Sequence, residues 1–257
     1  MLQPVTRFAL LLILPALVAT VPAARAEEDP RPRFLLELEA GPVWQTVNDN
    51  QIPNTSEGTR ISLVDLAGKG PQFAYRVYLE YRLSSRSSLR GLFAPLSFTE
   101  PGVSDVPVDF NGATFAPDQE LLATYKFNSY RLSYRYLWKD GARWRWHIGF
   151  TAKIRDARVQ LQQGDLVSTK DNVGFVPLLH LAARRHLGEK WHLDLDLDAL
   201  AGGPGRAEDL AIKLGHRPAP GWVVSIGYRM VEGGADVEEV YSFAWLHYLV
   251  GSAAVAF

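Results

Sequence analysis

No cysteine occurs among the 257 residues, and only two methionines do. Disulfides, thiolate metal sites and cysteine nucleophiles are therefore excluded together. An excess of one charge is also missing. Twenty-seven Lys and Arg against 28 Asp and Glu leave a formal net charge of −1, so there is no electrostatic footprint for nucleic acid. Beyond the first 26 residues no apolar run approaches 18, which removes transmembrane helices. What is present is 47% apolar residues with 21 Gly and 16 Pro. That is too apolar for a disordered or collagen-like chain, and the length suits one or two domains or one large β-barrel.

Residues Met1–Ala26 read as a secretory signal. Arg7 supplies the positive charge, Phe8–Val21 the apolar stretch and Ala24-Arg25-Ala26 the small-x-small cleavage site. The run contains Pro15 and, at about 14 residues, is shorter than the roughly 20 a membrane span needs. Cleavage after Ala26 would remove Arg7 and Arg25, leaving 25 basic against 28 acidic residues and a charge of −3. An exported chain without cysteine fits a bacterial envelope rather than a disulfide-stapled secreted scaffold. Glu27–Arg33, with Pro30 and Pro32, is a short lead-in to one domain spanning 27–257.

Period two dominates that domain. In Gln72–Leu83, Phe73, Tyr75, Val77, Leu79, Tyr81 and Leu83 share one face, with Gln72, Arg76, Tyr78, Glu80 and Arg82 on the other. In Trp191–Ala201, Leu193, Leu195 and Leu197 alternate with Asp194, Asp196 and Asp198. Successive strand side chains point to opposite faces, so each segment separates an apolar from a polar environment. Ten such segments follow one another: Phe34–Val47, Gln72–Leu83, Ser88–Phe98, Thr124–Trp138, Arg143–Gln162, Val173–Leu187, Trp191–Ala201, Asp209–His216, Trp222–Val231 and Val240–Phe257. The phase slips near Asp156-Ala157, where a β-bulge is expected. Short links at Ser84–Ser87, Lys139–Ala142, Gly188–Lys190 and Arg217–Gly221 alternate with longer ones at Asn48–Pro71, Thr99–Ala123, Gln163–Asn172, Gly202–Glu208 and Glu232–Glu239. This is the layout of a transmembrane, up-and-down antiparallel β-barrel of ten strands, or eight if the third segment and part of the fourth form one loop.

A soluble barrel of the lipocalin type would alternate too, with its apolar side inward. The tryptophans argue for lipid outside. Trp138, Trp144, Trp146, Trp191 and Trp222 all sit beside short turns, as an interfacial girdle would; Trp44 and Trp245 lie toward the other rim. The polar faces then line a lumen containing Glu37, Glu39, Arg76, Glu80, Arg82, Arg90, Arg131, Arg135, Arg145, Lys153, Arg155, His180, Arg184, Asp194, Asp196, Asp198, Asp209, Lys213 and Arg229. Pairing across the turns sets Arg184 opposite Asp194, His180 opposite Asp198, Asp209 opposite Arg229 and, unfavourably, Arg82 opposite Arg90. A ten-stranded barrel is little wider than one that its side chains fill, so a largely plugged lumen is expected, with a narrow, anion-leaning path as the alternative.

The last strand carries Leu249, Gly251, Ala253, Val255 and Phe257 on one face. Here the chain resembles the small bacterial outer-membrane β-barrel proteins of the OmpA, OmpX and OmpW class. The resemblance implies insertion in the outer membrane, contact with its lipid and lipopolysaccharide, and reading of Val255 and Phe257 by the barrel-assembly machinery. Members of that class often carry Gly five residues before the end, where this chain has Ser252 and places Gly251 one position earlier.

Three chemistries compete with a structural or surface-binding role. A metal on Asp194, Asp196, Asp198 and His192 meets a geometric obstacle: alternate strand residues lie roughly 6.5–7 Å apart, so a site would need a ligand such as His180 from the next strand. No metal or other cofactor is expected. Narrow solute conduction is the second. The third is an enzyme acting on lipid A or peptides; the barrel enzymes of this membrane that the chain would then resemble mostly place an activating His with Asp, Ser or Glu near the outer rim or lipid interface. His147, His180, His186, His192, His216 and His247 all avoid the long loops, and His247 falls on the lipid-facing side. Around Asn111-Gly112, Val106–Phe115 reads as a hairpin that extends the third and fourth strands. Arg60, Lys69, Lys126, Arg158, Lys170 and Arg206 are candidate contacts for lipopolysaccharide phosphates. Asp236, Glu238 and Glu239 form an acidic loop cluster. A monomer without nucleic-acid partners is expected.

Overall fold

The computed structural model describes residues 32–203 and 205–257. The secretory signal read over 1–26 lies outside the described residues. From the N-terminal side come β1 (Phe34–Gln51), the two-residue β2 (Ile61–Ser62), the one-turn helix α1 (Leu63–Ala67), β3 (Gln72–Arg82), β4 (Ser87–Ala94) and β5 (Ser97–Val103). A small hairpin follows, β6 (Val108–Phe110) with β7 (Ala113–Phe115). Then come the long strands β8 (Glu120–Asp140), β9 (Trp144–Gln163) and β10 (Leu166–His186). The circuit ends with β11 (Trp191–Gly202), β12 (Gly205–His216), β13 (Trp222–Val237) and β14 (Val240–Ala256).

Each strand pairs antiparallel with its neighbour, and β14 returns to β1, closing the sheet. Phe34 and Phe257 seal the seam by exchanging backbone hydrogen bonds of 2.8 and 2.9 Å. Both β4 and β5 pair with β8, so they form one stave interrupted at Pro95-Leu96, where proline offers no amide to the ladder. The barrel therefore has ten staves, not eight. Its polarity is that of a membrane barrel. Phe150 and Phe175 are 67% and 65% exposed on the outside, whereas Arg229 and Asp209 are each 2% exposed within. A lipocalin-type soluble barrel would reverse this.

Above the apolar belt the pattern inverts. On β9, Ile148, Phe150 and Ile154 face out and Thr151 and Lys153 face in; further along, Val159 and Leu161 face in, while Arg158 and Asp171 of β10 pair outside at 2.6 Å. On β8, Leu132 and Tyr134 face out, but Leu121, Ala123 and Tyr125 are buried inside. Hydrocarbon requires apolar side chains outside, water requires polar ones, and the interior takes the complement. The expected bulge at Asp156-Ala157 is absent, because both ladders of β9 run through it without a shift. What changes there is the solvent, not the register. The register does shift at Gln45/Val47 and Leu137/Lys139.

This inversion also shortens three of the long links read from sequence. β9 and β10 stay paired up to Gln163 and Leu166, β11 and β12 up to Gly202 and Gly205, and β13 and β14 up to Val237 and Val240. The other two long links build a cap. The β6–β7 hairpin is a separate sheet and does not extend the barrel strands; it turns its apolar residues inward, with Val108 2%, Phe110 1% and Phe115 1% exposed. They join Ile52, Ile61 and Leu63 in one core with the inward residues of the upper barrel. Ser62 caps α1 by accepting from the Asp65 amide at 3.2 Å. Gly102 of β5 lies so close to α1 that a Cβ there would stand 1.6 Å from the Leu66 carbonyl oxygen.

Candidate functional site

Inward side chains of the lower barrel converge because the strands are tilted around a narrow axis, and arginine is long enough to cross it. At the centre, Arg229 Nε donates to Glu39 at 2.9 Å, its Nη1 to Asp209 and its Nη2 to the Tyr78 hydroxyl at 2.9 Å. Asp209 also accepts from Arg76 at 2.8 Å and Arg131 at 2.6 Å. Arg131 reaches Asp198 at 2.9 Å, and Asp198 accepts from Thr151 at 2.8 Å and bonds His180 Nδ1 at 2.8 Å. Toward the short turns Arg135 meets Glu80 and contacts His180 Nε2 at 3.1 Å; Arg90 meets Asp196 at 2.7 Å, and Arg184 holds Asp194 through two bonds of 2.6 and 2.8 Å. Lys213 joins Glu37 and Glu39 at 2.5 and 3.0 Å.

Seven acids (Glu37, Glu39, Glu80, Asp194, Asp196, Asp198, Asp209) thus meet seven bases (Arg76, Arg90, Arg131, Arg135, Arg184, Lys213, Arg229). Such a network repays desolvation only when every member is partnered. Two expected registers need correction. Asp209 sits opposite Val231, and Arg229 opposite Ala211, because the β12–β13 turn pairs His216 with Val224; the two charges meet diagonally instead. Arg90 faces Glu80, not Arg82, which removes the repulsion read from sequence. Strand periodicity puts Tyr78 on the polar face, but its hydroxyl bond to Arg229 is set by tertiary geometry that the periodicity does not encode.

His180, Asp196 and Asp198 bring ligand atoms within 4.8 Å of one another, the one such group among the described residues. Asp196 already accepts from Arg90, and Asp198 from Arg131 and Thr151. His192 lies on the inward face beside Asp194 and outside that group.

On the lipid-facing wall near the outer limit of the apolar belt, His247 is explained by the β1 irregularity. The bulge brings Thr46 Oγ1 to 2.9 Å from His247 Nε2, and the Tyr228 hydroxyl bonds His247 Nδ1 at 2.5 Å. Trp245 lies beside the imidazole, with ring centroids 5.5 Å apart. Neither Thr46 nor Tyr228 could be singled out in sequence. Among the six loop cations, Arg60 covers the Tyr241 ring at 3.5 Å, Lys126 pairs with Asp156 at 2.7 Å, and Arg206 pairs with Glu232 at 2.6 Å. Asp236 accepts from Asn54 at 2.8 Å.

Trp138, Trp144, Trp191 and Trp222 stand exposed on the outer wall beside the short turns, and Trp146 stacks on Trp144 at 5.4 Å. Phe257 is exposed and stacks on Phe34 at 5.7 Å, two residues beyond Val255 on β14.

No family model matches the sequence, and no curated protein does. Among solved structures, the outer-membrane protease OmpT from Escherichia coli superposes with a TM-score of 0.56 at 9% identity, covering 88% of this chain and 97% of its own. The translocator domain of the autotransporter NalP from Neisseria meningitidis gives 0.42 at 10% identity, covering 89% and 90%. The attachment invasion locus protein Ail of Yersinia pestis gives 0.37 at 8% identity, covering 87% and 99%. At these identities the likeness is one of fold, and the fold is that of the bacterial outer-membrane β-barrels.

Proposed function

We propose that this chain is exported through its N-terminal signal, assembled through Val255 and Phe257, and held in the outer membrane as a monomeric barrel with a plugged lumen. Its role is structural or surface-binding rather than conductive, in contact with lipid and lipopolysaccharide. The observation that carries this reading is the convergence of Arg76, Arg131 and Arg229 on one carboxylate, Asp209, across the barrel axis. An ion entering would have to displace bonds between fully desolvated partners. In planar lipid bilayers the purified protein is therefore expected to show no stable, discrete openings. Reproducible unitary steps would establish the narrow channel instead.

One observation favours a second reading, an enzyme of the outer leaflet. Thr46, His247 and Tyr228 form a hydrogen-bonded hydroxyl–imidazole–hydroxyl chain that faces lipid. In the tautomer that leaves Nε2 unprotonated, His247 accepts from the Thr46 hydroxyl and is a base poised to make a nucleophile, and an acyl ester of lipid A is the substrate within reach. Mass analysis of lipid A from cells with the parent protein or H247A decides the matter. Under the structural reading both profiles match that of cells lacking the protein; loss of an acyl chain with the parent alone establishes the enzyme.

A further inference from the structure

The seven-against-seven balance of the plug leaves cations over, and they lie together above it. Lys153 is 3% exposed, and among the described residues no carboxylate lies within salt-bridge distance of it; its ammonium sits 4.8 Å from the Phe127 ring. Arg155 follows on the same inward face. Its Nη2 bonds the Asn172 side-chain oxygen, while its buried Nε has no partner. Lys170, read from sequence as an outside contact, also faces this space. All three line a cavity of about 490 Å³ whose walls are otherwise mostly apolar, including Tyr125, Phe127 and Val159. A buried ammonium without a partner is costly, and apolar walls make it costlier. A molecule carrying one negative group and an apolar body would remove both penalties.

The cavity also has a side door. β11 pairs with β10 only from Leu179 to His186, so among the described residues no strand pairs with β10 from Leu166 to Leu178 on that side, and only the Asn111 side chain of the β6–β7 turn reaches it, at the Thr169 carbonyl. The β11–β12 hairpin ends low, at Gly202 and Gly205, between taller neighbours. Outward-facing Phe175 and Pro177 line the same cavity as inward-facing Lys153, so it passes through the wall. Phe175 and Val173, 65% and 70% exposed, make the outer edge of this notch apolar.

We propose that this vestibule binds a single-chain amphiphilic carboxylate, its head on Lys153 and Arg155 and its chain passing through the notch above the β11–β12 turn toward the outer leaflet. The inference deepens the surface-binding reading by naming the ligand class. The probe is [1-13C]dodecanoate added to the full mature barrel in phosphatidylcholine nanodiscs, with empty discs as reference. A saturable bound carboxylate resonance, absent from empty discs, is expected; dodecanol should compete at least tenfold more weakly, and acetate hardly at all. K153M and R155M should each weaken dodecanoate binding at least tenfold and leave dodecanol unchanged, with folding checked by heat-modifiable migration. A157W, which fills the cavity without changing its charge, should weaken both ligands and covers the case in which K153M does not fold. No saturable resonance, equal competition by dodecanol, or parent-like binding by R155M and A157W would overturn the proposal. Bilayer conductance tests the plug separately: silent bilayers without dodecanoate binding sink this inference and leave the plug standing, whereas conductance with binding does the reverse.

Discussion

Replacing Arg229 with methionine is expected to lower the unfolding free energy by about 3–5 kcal/mol, the usual cost of removing one partner from a buried ionic network. Glu39 and Asp209, 1% and 2% exposed, would lose their central counter-charge, and the Tyr78 hydroxyl would lose its donor. Methionine is close to arginine in length and apolar, so the loss measures charge and hydrogen bonding more than volume. The measurement is a urea titration of the barrel in lipid vesicles, with folded protein scored by migration of unheated samples. Arg158→Met makes the control. Its partner Asp171 lies half-exposed on the outer wall, where an ion pair contributes about 0–1 kcal/mol. Equal midpoints for the two variants would mean that the lumen is hydrated enough to solvate Glu39 and Asp209, and the plug would lose its physical basis.

How much of this was legible in the sequence depends on distance along the chain. Period two reports the contrast between the faces of one strand, so ten staves, outward leucines and inward aspartates could be read directly. Partnerships within one hairpin also followed, as for Arg184 with Asp194 and His180 with Asp198. Partnerships across the axis did not. Glu39 and Arg229 are 190 residues apart, and Arg76 and Asp209 are 133 apart; only closure of the barrel brings them together. The cap was missed for a related reason. Val108, Phe110 and Phe115 alternate as a lip strand would, and only the apolar upper interior makes burial the cheaper state. The phase slip near Asp156 is visible in the sequence, but its cause is not. A strand leaving lipid for water exchanges its apolar and polar faces without any change in backbone pairing, so the sequence signal resembles that of a bulge.

That exchange gives the second large effect, on three residues of the one strand β9. Phe150 faces out in the middle of the apolar belt, so Phe150→Arg should cost about 2–4 kcal/mol, as an arginine facing lipid near the midplane does. Twelve residues further along, Gln162 also faces out but above the belt; Gln162→Arg places the charge in water and should change stability by no more than about 0.5 kcal/mol. Between them in sequence, Leu161 is fully buried inside, and Leu161→Ala should cost about 2–5 kcal/mol by opening a cavity in the upper core. Urea midpoints in vesicles read all three. A barrel with lipid along its whole outer wall would penalise both arginines, and a water-filled upper lumen would make Leu161→Ala nearly silent. Only an outer wall that passes from hydrocarbon into water, over an interior that passes from ionic to apolar, yields the order costly, neutral, costly. The same passage places Lys153 and Arg155, neither of which meets a carboxylate among the described residues, where the ionic interior gives way to the apolar one.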